Sequence, residues 1–260
     1  METQFPRILS NLVPQCLRAF TLAETLIVIG IIGVVAALTL PNLNHATGDK
    51  EKVTKVKKIY SSLTDAIDRA QAIYGPIDEW FTDLCSSKGY VDRSNWATAS
   101  ERFAKRVIEF MKVSKDCGFD EGCFSTAPLL YSNGEEWEEN YLESLQQYGK
   151  AYMVTLADGM SLRFSIYFDT FKVGVDIDGP NKGKNQIGND IFDFSILYSE
   201  ASANNDWGMK ANQLYPAYGS KLRTGSGVSA NETVWVIENG NLDYLKCPEE
   251  LNWETQTSCK

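Results

Sequence analysis

The 260-residue chain is 43 % hydrophobic and 12 % aromatic, enough apolar material for a folded core, and carries a formal net charge of −9. That acidity opposes binding to phosphate backbones, so direct nucleic-acid contact is not expected of the fold as a whole, although a local basic patch stays open. The only histidine is His45, so a Ser-His-Asp triad, a Cys-His pair or a polyhistidine metal site is excluded from the rest of the chain, and no enzymatic activity is expected.

Residues 1–19 contain Arg7, Arg18 and Glu2, a net charge of +1, which leaves −10 on residues 20–260. The positive-inside tendency assigns this leader to the cytoplasmic side and the downstream chain to the other. Residues 20–40 form one apolar segment with a single carboxylate, Glu24. As a helix rising about 1.5 Å per residue the segment spans roughly 30 Å, the thickness of a bilayer's hydrocarbon core. An acidic residue costs about 2.5–3.5 kcal/mol at mid-helix in such a segment and less near an end, so Glu24 calls for a partner. A secretory signal peptide has a shorter apolar core, of about 7–15 residues, and a plain signal anchor has no use for Glu24.

The run Phe20-Thr21-Leu22-Ala23-Glu24, preceded by the small Ala19 where glycine is usual, resembles the processing signal of type IV prepilins and type II secretion pseudopilins. The resemblance implies cleavage between Ala19 and Phe20 by a prepilin peptidase, methylation of the new Phe20 amine, and assembly on an inner-membrane platform into a filament of identical or related subunits. Glu24 would pair with the N-terminal amine of a neighbouring subunit. It implies residence in the cytoplasmic membrane with an extracytoplasmic head, then display at the cell surface in a pilus or pseudopilus, with a structural and adhesive role. An uncleaved, membrane-anchored extracytoplasmic binding or adhesion protein is the alternative.

Residues 49–74 carry Val53, Val56, Ile59, Tyr60, Leu63, Ala66, Ile67, Ala70 and Ile73 at three- and four-residue steps, which predicts an amphipathic helix ended by Gly75-Pro76. Pro41, found at a similar place in many type IV pilins, is expected to kink or locally melt the join between the two helical halves. The lysines 50, 52, 55, 57 and 58 read either as a solvated face near an anionic bilayer or as a contact for acidic heads of neighbouring subunits. The expected organisation is therefore a leader at 1–19, an assembly helix at 20–40, an amphipathic helix at 41–75 and a head at 76–260.

The head is expected to be α+β with an antiparallel sheet. Residues 100–113 show a helical pattern, with Phe103, Val107, Ile108, Phe110 and Met111 on one face. Residues 151–156 and 161–168 flank Asp158-Gly159 and predict a hairpin, and residues 170–176, 190–196 and 233–237 read as further strands. In pilins such a sheet packs on the outer half of the long helix, and the apolar stripe supplies a surface for it. The acids Glu135, Glu136, Glu138 and Glu139 around Trp137 offer a glycosidase-like carboxylate pair, or more simply a solvated acidic turn around one packed tryptophan.

Cys16 lies in the leader, leaving Cys85, Cys117, Cys123, Cys247 and Cys259. With no Cys-x-x-Cys pair and one histidine, disulfides are expected over zinc. Cys117 and Cys123 bracket a turn-rich stretch that would close as a small loop, and Cys247 and Cys259 resemble the disulfide-closed terminal loop of many type IV pilins. Cys85 is left over. Asp176, Asp178, Asn181 and Asp190 concentrate oxygen donors in one loop and read either as a calcium site or as ordinary turn formers between strands.

Overall fold

The computed structural model describes residues 22–86, 89–136, 151–167, 170–198, 210–216 and 232–260, and of residues 36–47 the backbone alone. The chain divides into two compact units, Met1–Ala46 and Thr47–Lys260, so the division falls inside the predicted 41–75 segment. Helix α1 is assigned over Leu22–Tyr74, and the backbone is helical at Pro41, so the expected local melting is not found there.

In the first unit every described side chain, from position 22 to 35, is exposed. Among the described residues no helix is long and apolar enough to cross a membrane. Those fourteen positions span about 20 Å, short of the roughly 30 Å required. The remainder of the predicted 20–40 segment, namely Phe20, Thr21 and the side chains of 36–40, lies outside the described residues.

The second unit is α+β. Among the described residues six strands, β1 (Val113–Gly118), β2 (Tyr152–Leu156), β3 (Ser161–Tyr167), β4 (Thr170–Asp176), β5 (Ile191–Leu197) and β6 (Leu214–Pro216), pair in chain order as an antiparallel sheet. The β2–β3 hairpin turns at Asp158-Gly159 as predicted: Gly159 has φ +90°, and Asp158 Oδ1 accepts the Met160 N–H at 3.3 Å. The two outer strands of the described sheet are blunted differently. β1 carries two register shifts and is tied to its following loop by the Cys117–Cys123 disulfide, whereas β6 is three residues long and ends in Pro216.

Alternation along the strands sends Leu162, Phe164 and Ile166 of β3, Phe171, Val173 and Val175 of β4, and Phe192, Phe194 and Ile196 of β5 into one core. The stripe of α1 belongs to that core: Val53, Val56, Ile59, Leu63, Ala66, Ile67 and Ala70 are buried, and Tyr60 stacks on Phe194 at 5.6 Å. Ile73, the last predicted member, is instead 63 % exposed. Helix α2 (Trp96–Ile108) contributes Phe103, stacked on Phe171 at 4.5 Å and edge-on to Phe164 at 5.9 Å.

Two elements differ from expectation. The helix predicted at 100–113 starts at Trp96 and ends at Ile108, and the chain turns to begin β1 at Val113. The run 233–237, expected as a strand, lies in helix α3 (Glu232–Asn239). Glu232, Thr233, Val234, Trp235 and Val236 are all buried in this helix. Side-chain bonds fix this helix: Thr233 Oγ1 accepts the Asp193 N–H at 3.2 Å, and Trp235 Nε1 donates to Asn241 Oδ1 at 2.8 Å. β-Propensity describes fit to a half-buried pleated surface, and packing overrides it here.

The opposite face of the sheet is polar yet buried. Arg163, Gly174 and Asp193 lie side by side across β3, β4 and β5. Arg163 is 2 % exposed, pairs with Asp193 at 3.0 Å and lies 4.9 Å from the Phe124 ring centroid. A smaller core of Cys123, Phe124, Leu129, Ala151, Met153, Ile187 and Ile191 includes that phenylalanine.

Candidate functional site

Within the first unit, Leu22, Leu26, Ile27, Val28, Ile29, Ile31, Ile32, Val34 and Val35 are between 49 % and 78 % exposed. They occupy all sides of the helix, not one stripe. A helix apolar all round is stable in lipid or in the interior of an assembly, because in water each side chain leaves its transfer free energy unrealised. Glu24 sits among them in the first turn, where an acid complements the positive end of the helix dipole. Ala19 and Phe20, the expected processing pair, lie outside the described residues.

The lysine cluster of α1 has an arrangement that neither sequence reading proposed. Lys52 Nζ donates to Asn189 Oδ1 at 2.5 Å, Lys55 Nζ to Asp178 Oδ1 at 3.1 Å, and Lys58 Nζ to Asp158 Oδ2 at 2.8 Å. Steps of three place these lysines along one side of the helix, Lys52 and Lys55 facing the β4–β5 loop and Lys58 the β2–β3 turn. Beside them Lys246, next to Cys247, pairs with Asp49 at 2.5 Å. The cluster is thus largely spent inside the unit, leaving Lys50 and Lys57 as its exposed members with no ion pair among the described residues. The three-residue spacing was visible in sequence, but the partners, 100 to 137 residues away, were not.

The acidic loop does not gather a calcium cage. Asp176 Oδ1 accepts the N–H groups of Asp178 and Gly179 at 3.1 and 2.9 Å. Asp178 is committed to Lys55, and Asp190 accepts the N–H groups of Asn185 and Gln186 at 2.8 and 2.7 Å. Asn181 is exposed in the intervening turn. No group of three or more His, Cys, Asp or Glu side chains is placed to hold a metal ion among the described residues. The loop's acids cap backbone N–H groups, the turn-forming alternative. Burial pushes the Asp176 carboxyl up to about 7, against its two backbone N–H bonds, and burial likewise raises Asp190.

Disulfides join Cys117 to Cys123 and Cys247 to Cys259, and Cys85 is a half-buried free thiol. The terminal loop is further knit together by Asp243, whose Oδ2 accepts the Cys259 N–H at 3.0 Å, and by Asn241 donating to the Thr257 carbonyl at 2.8 Å. An open cavity of about 880 Å³ lies between this loop and the 131–135 turn, rimmed by Glu135, Lys184 and Glu249. Glu135 and Glu136 are exposed, and the Glu135 carboxylate accepts from Asn133 Nδ2 at 2.9 Å. Trp137, Glu138 and Glu139 lie outside the described residues.

Compared with protein-family models, curated proteins and solved structures, the chain matches none.

Proposed function

We propose that the chain is a structural subunit of a type IV pilus or type II secretion-like pseudopilus, cut between Ala19 and Phe20 by a prepilin peptidase and assembled through its N-terminal helix. The observation that carries this reading is the apolar girdle at positions 22–35, exposed on every side. Lipid covers such a surface before assembly, and the same segments of neighbouring copies cover it afterwards. Glu24, near the start of that girdle, would meet the cationic Phe20 amine of a neighbour, a pairing that offsets the cost of a charge in apolar surroundings. The second unit supports the reading in its build: an amphipathic helix half, an antiparallel sheet sharing its core, and a disulfide-closed terminal loop.

The partners would be identical or related subunits, the peptidase that also methylates Phe20, and an inner-membrane assembly platform. The test is Glu24→Ala in cells expressing the assembly machinery, with subunit counted in the membrane and in sheared surface filaments. The filament reading expects normal membrane abundance with at least a tenfold loss from the sheared fraction. Unchanged abundance in both fractions would instead support the uncleaved, membrane-anchored binding protein.

A further inference from the structure

The Lys52–Asn189 contact joins a helix to a loop 137 residues away, and both sides of it are held firmly. The neighbours of Lys52 on α1, Val53 and Val56, are buried. Asn189 lies in a turn pinned on both flanks: the Tyr244 hydroxyl donates to the Gly188 carbonyl at 2.5 Å, and the Asp190 carboxylate accepts the N–H groups of Asn185 and Gln186. The Asn189 amide is itself oriented, its Nδ2 donating to Gln186 Oε1 at 3.2 Å. With Nζ 2.5 Å from Oδ1, and a C=O bond of about 1.2 Å, the amine nitrogen is no more than about 3.7 Å from the amide carbon Cγ. That is close to the roughly 3–3.5 Å separation from which an intramolecular attack proceeds once the reacting orbitals align.

We propose that Lys52 and Asn189 are a self-modification site, forming an intramolecular isopeptide bond that staples α1 to the β4–β5 loop. In the balanced step the lone pair of the Lys52 amine nitrogen attacks Asn189 Cγ. The Nζ–Cγ bond forms, the Cγ–Nδ2 bond breaks, and a proton passes from Nζ to the departing nitrogen, which leaves as ammonia. Nothing is oxidised or reduced, and no co-reactant is required. The site is independent of the filament reading, since both residues lie in the second unit.

The experiment is intact-mass and peptide-map spectrometry of the full chain, purified in detergent with its disulfides intact, beside Lys52→Arg. The expected result is a wild-type mass lower by one ammonia, about 17 Da, than the disulfide-bonded chain should have. Trypsin would fail to cut after Lys52, and a branched peptide would carry both residues. Lys52→Arg would restore the full mass. An unmodified mass with cleavage after Lys52 would overturn the proposal. So would an ammonia loss that persists in Lys52→Arg, which marks a succinimide at Asn189 instead.

Discussion

The side chain of Arg163 occupies the space that a Cβ at position 174 would need: an added carbon there would lie 2.0 Å from Arg163 Nε. Gly174 is therefore what allows a buried guanidinium to cross β4 and reach Asp193 on β5. Gly174→Ala should force the arginine off its partner and destabilise the fold by about 2 kcal/mol or more, combining overpacking with a disturbed buried ion pair. The check is urea unfolding of both chains. An unchanged midpoint would mean that the arginine has another low-energy path across the strand.

Phe103 anchors α2 on the sheet through Phe171 and Phe164. Phe103→Ala should cost about 3–5 kcal/mol, as large aromatic-to-alanine changes in packed cores do. Ile73, on the same helix pattern as the α1 stripe but 63 % exposed, should tolerate alanine within about 0.5 kcal/mol. Thermal unfolding of the two variants separates a core position from one that shares only its periodicity.

The Asp176 carboxyl titrates near 7 in the fold, against an ordinary value of 3.8, because burial penalises its charged form. A raised acid makes the native state hold more protons than the unfolded chain between those two values. Stability is therefore favoured at the acidic end of that window and declines as pH rises through it. Asp176→Asn keeps an oxygen acceptor for the Asp178 and Gly179 N–H groups while removing the charge. It should raise stability by about 1–3 kcal/mol at pH 8 and by little at pH 4, read as the difference in unfolding free energy at the two values. A gain that does not vary with pH would contradict the assignment.

Much of this architecture was legible in local sequence. The α1 stripe, the Asp158-Gly159 hairpin and the β4 limits follow from periodicity and turn chemistry, which are decided within a few residues. The α3 helix was not, because Thr233, Val234 and Trp235 have strand preferences and only the contacts with Asp193 and Asn241 decide between the two. The lysine contacts failed to appear for the same reason. Lys55 and Asp178 are neighbours only once the sheet has folded against the helix, and their charges are equally compatible with lipid or a second subunit. For the oxygen-rich loop the sequence allowed both a calcium site and turn formers: donor composition was visible, but the backbone N–H groups that occupy those donors were not.

The lysine contacts should contribute unequally. Lys58–Asp158 is well exposed and should show a coupling below about 1 kcal/mol in a double-mutant cycle, whereas Lys55–Asp178, with side chains 32 % and 22 % exposed, should show more. Breaking the terminal loop is a larger change. Cys247→Ser with Cys259→Ser releases a twelve-residue closure and should cost about 2–3 kcal/mol, checked by urea unfolding under oxidising conditions.

The most direct test of the filament assignment is N-terminal peptide spectrometry of the protein taken from its native membrane and from sheared surface material. A filament subunit should begin at a methylated Phe20 in both fractions. A surface chain that still begins at Met1, in cells with an active prepilin peptidase, would contradict the assignment.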